Sequence, residues 1–159
     1  MKTINKLIGL LLLLVCMAGC SDSEREESEQ QLTPTPATIN GTWRLAEWNG
    51  WQDSDDWYVY ITFDRLEDTY VMYQRVNSMK SEKKTGSFTI EKDPETDSYI
   101  LDGTYDYTLD DGAWENKYVI ISLTDKVMVL TVKGDESDKQ TFVRVESVPA
   151  DIIKGTRAK

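Results

Sequence analysis

Histidine is absent from the 159 residues. With it goes every mechanism that turns on imidazole: serine and cysteine triads, zinc-activated water and the near-neutral proton switch. Cysteine occurs only at positions 16 and 20, and there are four prolines. Basic residues are outnumbered, 18 against 28 acids, for a formal charge of -10. A chain this acidic lacks the basic face that releases counterions from a polyanion, which excludes nucleic acid as a partner. Long apolar stretches are missing as well. Leu7 to Met17 is an almost unbroken apolar run of eleven residues, where a bilayer-spanning helix needs about twenty. A Gly-rich phosphate cradle is also absent.

That short run follows Lys2 and Lys6 and leads into Met17-Ala18-Gly19-Cys20. A positive start, an apolar core and small residues before a cut describe a secretory signal peptide. The last four residues resemble the lipobox of bacterial lipoproteins, with Met17 where leucine is commoner. The resemblance implies cleavage after residue 19 and lipidation of Cys20, so the mature chain keeps no thiol for a disulfide. Residues 20–38 then read as a lipidated cysteine and a disordered linker, with Asp22, Glu24, Glu26, Glu27 and Glu29 against Arg25 alone, followed by Thr33-Pro34-Thr35-Pro36. The acidic cluster is similar to surface-export signals of some Gram-negative lipoproteins. It equally suits a solvated spacer.

From residue 39 to 148 the pattern is all-β. Runs of β-branched and aromatic residues recur at Gly41–Trp48, Trp57–Phe63, Asp68–Arg75, Thr85–Glu91, Ser98–Tyr107, Lys117–Leu123, Lys126–Lys133 and Gln140–Glu146. The segments between them are rich in Asn, Asp, Gly and Pro, and too short for parallel crossovers. Eight hairpin-linked strands without helices predict an antiparallel up-and-down barrel, closed so that no edge is left to aggregate. Alternation places Trp43 and Leu45, then Trp57, Val59, Ile61 and Phe63, then Phe88 and Ile90 on a buried face. Val119 to Ile121 and Val127 to Leu130 are apolar on both faces. Their outer side needs a cover, either the tail 149–159 through Val148 to Ile153 or a partner protein.

Gly41-Thr42-Trp43-Arg44-Leu45, followed by Trp48-Asn49-Gly50, resembles the opening strand of lipocalin-like domains in bacterial lipoproteins. Tyr60-Ile61-Thr62-Phe63, Gly103-Thr104-Tyr105 and Leu123-Thr124 leading into Val127 to Thr131 agree with it. The opening is also similar to that of META-type domains of heat-shock-linked lipoproteins. The lipocalin resemblance implies that Trp43 closes the barrel floor under an arginine of the last strand, for which Arg144 is the candidate. It also implies a structural role for both.

Four of the five tryptophans, Trp43, Trp48, Trp51 and Trp57, fall within fifteen residues. Trp48, Trp51, Trp57, Tyr58 and Trp114 are the candidate rim of a binding mouth, against the plainer reading of aromatic packing. An eight-stranded barrel is only just wide enough for its own side chains or one small ligand. Trp57, Phe63, Tyr70, Met72 and Tyr105 pointing inward would leave it mostly filled. Asp53-Ser54-Asp55-Asp56 and Asp110-Asp111-Gly112 offer oxygens but lack the spacing of a calcium loop, so no metal site is expected. Paired carboxylates are the remaining catalytic chemistry, and they need a separation of about 5–10 Å. Glu47, Asp102 and Glu115 are available, but nothing in the sequence brings two together. No catalytic residue and no cofactor are expected.

The sequence therefore predicts a non-catalytic lipoprotein of a Gram-negative outer membrane, facing the periplasm or the cell surface. Its partners would be the membrane, through the N-terminal lipid, and a small apolar or amphipathic molecule or a glycan at the barrel mouth. The alternative is an assembly module with a filled barrel that docks to another envelope protein.

Overall fold

The computed structural model describes residues 29–76, 78–106 and 112–157. The signal peptide, Cys20, the acidic residues up to 28, and Asp110-Asp111 lie outside the described residues. Helix α1 (Pro36–Ile39) leads into β1 (Gly41–Trp48), β2 (Trp51–Gln52), β3 (Tyr58–Asp64), β4 (Thr69–Arg75) and β5 (Glu82–Lys92). Strands β6 (Tyr99–Gly103), β7 (Tyr118–Leu123), β8 (Val127–Val132) and β9 (Asp135–Val145) follow, then α2 (Ala150–Ile153). All pairings are antiparallel, each strand from β3 to β9 lies beside its sequence neighbour, and β1 pairs with both β3 and β9. The result is the expected eight-stranded closed barrel. Strand β2 is an extra two-residue flap on β1, made by the Asn49-Gly50 turn with both residues at positive φ.

The inward positions form one core that includes Trp43, Leu45, Ile61, Phe63, Phe88, Leu101, Met128 and Phe142. One end is shut. A capping box between Thr35 and Thr38 starts α1, and the Trp43 indole donates to the Ile39 carbonyl at 2.7 Å. Arg144 lies over the Trp43 ring at 4.2 Å. Its guanidinium donates to the carbonyls of Thr38 at 2.8 Å, Asp125 at 2.6 Å and Asn40. A side chain at Gly41 (φ +110) would meet Arg144 Nη1 at 2.9 Å, so the floor needs glycine there.

Two expectations are corrected. The linker is not loose coil from residue 29 onward. The Leu32 amide donates to the Leu123 carbonyl at 2.8 Å, Gln31 accepts from Ser122, and Glu29 accepts from Thr124 while pairing with Lys126 at 3.5 Å. Leu32 packs on the core and Pro34 is buried, so residues 29–38 seal the floor. The tail does not cover β7 and β8. Val148 and Ile152 pack on Tyr58, Tyr60 and Tyr73 of the outer face of β3 and β4, and on Val145 at the end of β9. The chain leaves β9 at Val145, opposite Thr42 of β1, which is itself opposite Thr62 of β3. Tyrosines on the neighbouring strand are therefore the nearest apolar surface it can reach. Ile121 remains 56% exposed.

Candidate ligand site

The barrel is not filled. A cavity of about 370 Å³ opens at the end opposite α1. Its depth is apolar, with Leu45, Val59, Ile61, Phe63, Met72, Leu101, Met128, Leu130 and Phe142 as walls. Toward the mouth the inward positions change to Gln74, Ser78, Glu82, Lys84, Glu115, Asn116 and Gln140, with Trp48, Tyr105, Trp114 and Tyr118 among them. The bulky residues expected to plug the barrel pair off against its walls instead. Phe63 meets Phe88 edge-on at 4.9 Å, and Tyr70 meets Trp114 edge-on at 5.1 Å. The expectation of a mostly filled interior does not hold.

Each mouth residue has a local cause. Trp48 ends β1 beside Gln140, and its indole donates to Asp138. Trp114 comes from the β6–β7 connection and lies flat against Gly103, where an added Cβ would sit 2.5 Å from Cε2 of the ring. Its indole N–H donates to the Tyr70 hydroxyl at 2.8 Å, and that hydroxyl donates to the Thr104 carbonyl at 3.1 Å. Tyr118 stands 6.1 Å from Trp114, again edge-on. Burial is the main cause raising the Tyr118 phenol above its ordinary pKa. The charges of Asp138 and Glu115 add to the rise, and hydrogen bonds with the side chains of Gln140 and Asn116 partly offset it. On the opposite wall Lys84 pairs with Glu82 at 3.9 Å and lies 5.5 Å from the Tyr105 ring.

Of the five candidate rim residues, Trp48 and Trp114 line the cavity. Trp57 stacks obliquely on Trp48 at 6.2 Å, behind the lining. Trp51, on the flap, is 76% exposed and does not line the cavity. Tyr58 is misplaced by the rim reading: it is 2% exposed on the outside of the barrel, under the tail and 5.4 Å from the Arg157 guanidinium. Strand parity dictates this, since Val59 and Ile61 point inward and Tyr58 must point out. The rim residue the sequence reading lacked is Tyr118, which shares inward parity with Ile120.

The acid cluster after Trp51 is held by arginines: Asp53 pairs with Arg44 at 3.3 Å, Asp56 with Arg75 at 3.1 Å and Asp55 with Arg157 at 3.6 Å. No group of three or more metal-ligating side chains occurs among the described residues. Of the candidate catalytic carboxylates, Asp102 pairs with Lys117 on β6 and Glu47 is exposed on β1, so only Glu115 reaches the cavity.

Comparison with known proteins agrees with this architecture. The sequence model of the lipocalin-like domain matches residues 39–130. A crystal structure of a lipocalin-like protein from Bacteroides uniformis ATCC 8492 is similar, with a TM-score of 0.47 and 11% identity over 68% of this chain and 99% of that one. No curated protein matches the sequence. The family match spans more than half of the chain, and the chain belongs to the lipocalin-like domain family.

Proposed function

We propose that this is a membrane-tethered envelope lipoprotein whose barrel takes up one small apolar or amphipathic molecule, without converting it. The observation that carries the reading is the 370 Å³ cavity with apolar walls and a polar, aromatic mouth. Its volume lies within the roughly 300–1,000 Å³ range of ligand pockets. At about 30 Å³ per water-sized unit it holds about a dozen non-hydrogen atoms, or one medium alkyl chain. Walls of leucine, isoleucine, phenylalanine and methionine suit hydrocarbon better than a sugar ring, whose hydroxyls would go unpaired there. Burying each methylene contributes about 0.8 kcal/mol. Ten carbons give about 8 kcal/mol, and after an association cost of about 4 kcal/mol a ten-carbon chain is expected to bind with a Kd on the order of millimolar. Tethering is supported by the sequence Met17-Ala18-Gly19-Cys20, and the location that goes with it in this proposal is the outer membrane, on its periplasmic or outer side.

Tryptophan emission tests the uptake, because Trp48 and Trp114 stand at the mouth. Neutral alkyl glycosides should shift the emission saturably, and free oligosaccharides should not. Leu130→Trp, which fills the cavity, should abolish the response. No response to any amphiphile, together with co-purification of one envelope protein, would instead favour an assembly module that docks to that protein. For the tether, Cys20→Ala should move the protein out of the detergent-soluble membrane fraction. Persistence there would rule out lipidation as the anchor.

A further inference from the structure

The two walls of the mouth differ in charge, and the difference identifies a class of head group. On the β5 wall, Lys84 is the one cationic side chain lining the cavity among the described residues. It is already engaged by the Glu82 carboxylate at 3.9 Å and lies by the Tyr105 ring. Opposite it, Glu115 of the β6–β7 connection lines the cavity, and Asp138 of β9 stands behind Trp48, both without a counter-ion. Among the described residues, neither Glu115 nor Asp138 takes part in any ion pair. Asp138 accepts the Trp48 indole N–H, Glu115 lines the cavity, and the charge of both helps raise the Tyr118 phenol. Tyr118 and Trp114 form an edge-on pair beside them, and Trp48 closes the other side. Uncompensated carboxylates next to several aromatic faces favour a cation twice over, by charge and by the ring quadrupole. An anionic head placed there would face two carboxylates, with only a partnered lysine across the opening.

Resting on the uptake proposed above, we infer that the mouth selects an amphiphile with a cationic, ammonium-type head, seated between Glu115, Asp138 and the rings of Trp48, Trp114 and Tyr118, with its apolar tail in the cavity.

Three probes with the same tail separate the terms: decyltrimethylammonium, decyl maltoside and decyl sulfate. Each is titrated calorimetrically into the full-length protein below its micellar concentration. The ammonium is expected to bind about tenfold tighter than the maltoside, with the sulfate weakest, and the preference should shrink in high salt. Glu115→Gln, at an exposed position that packs nothing, should cut the ammonium affinity several-fold and leave the maltoside unchanged. Lys84→Gln should leave the ammonium affinity unchanged or raise it. Equal or tighter binding of maltoside or sulfate overturns the head-group inference while uptake stands. Failure of all three probes to bind overturns the uptake itself.

Discussion

Arg144→Met removes a charge from the barrel floor while keeping most of the aliphatic stem that packs there. Wild-type Arg144 donates to three carbonyls, those of Thr38 and Asn40 at the end of α1 and that of Asp125 in the β7–β8 turn. It also covers the Trp43 ring at 4.2 Å. Hydrogen bonds from a charged donor contribute about 1.5–3 kcal/mol each. The site is only partly buried, and water can reach some of the freed carbonyls, so the lower end applies and the three do not add in full. With about 1 kcal/mol for the cation over the indole, the expected loss is about 3–4 kcal/mol. At about 4 °C per kcal/mol for a domain of this size, the midpoint of thermal unfolding should fall by roughly 12–16 °C.

Urea denaturation followed by circular dichroism gives the free energy, and an unchanged slope would show that the same surface is exposed on unfolding. Arg144→Lys is the sharper control. Lysine keeps the charge but cannot reach three carbonyls in a planar fork, so it should recover no more than half of the loss. A loss under 1 kcal/mol for Arg144→Met would refute the reasoning. It would mean that α1 and the 29–38 segment hold the floor closed by packing alone.

Other positions give independent checks. Gly103→Ala forces a methyl to within 2.5 Å of the Trp114 ring and 2.7 Å of the Ser87 carbonyl. It should cost about 1–3 kcal/mol and reduce near-ultraviolet circular dichroism as Trp114 leaves Tyr70; an unchanged spectrum would contradict the close fit. Ile152→Ala should cost about 2 kcal/mol and speed hydrogen exchange in β3 and β4, where the tail covers Tyr58 and Tyr60. Tyr118 is an acid whose folded pKa is raised, mainly by burial. The stability of its neutral form is therefore complete below the unfolded value near 10 and is lost as pH rises through the folded one. Tyr118→Phe should lose less stability than wild type in that alkaline window, measured by urea melts at stepped pH. Asp93 is the opposite case. Its carboxyl is lowered by Lys133, at 2.7 Å, and by backbone amides of the following turn. Asp93→Asn should be less stable than wild type at neutral pH, and the gap should close as pH falls below about 4.

How much of this was legible depended on whether a residue's task is local. The strands were readable wherever one face is dry, as in Val59, Ile61 and Phe63. Strands β5 and β9 begin earlier than the pattern suggested, at Glu82 and Asp135. Their first residues stand at the mouth, where water reaches both faces and alternation disappears. The same cause hid part of the site: Gln74, Glu82 and Gln140 look like surface residues, yet they line a cavity. Tyr58 was legible in principle, because its parity opposes that of Val59, and grouping it with the tryptophans overrode that rule. The ordering of residues 29–38 was not legible. Leu32 is an isolated apolar residue in a polar stretch, and its hydrogen bond to Leu123 spans most of the barrel sequence. The cavity itself is the difference between the width of a closed sheet and the packing of its side chains, which no single segment encodes.

The two ends of the barrel solve opposite problems, which explains why one end was recognisable and the other was not. At the floor, strand ends, α1 and a connecting turn converge in a partly buried place, where water is scarce and carbonyls must find donors. One planar cation reaching three of them is a narrow solution, and it requires Gly41 beside it and an indole beneath it. Such a constellation leaves a mark in the sequence, Gly-x-Trp early and an arginine late. At the mouth water satisfies the backbone, so the residues there are free to answer to whatever enters. Among the described residues Glu115 and Asp138 carry no ion pair, whereas the aspartates of the Asp53–Asp56 turn are each held by an arginine. With no cysteine among the described residues, stability there must be concentrated in the floor and core. That leaves the rim able to vary its charge with little effect on folding. Substitutions at Glu115 should therefore change what binds long before they change how the barrel melts, and substitutions at Arg144 should do the reverse.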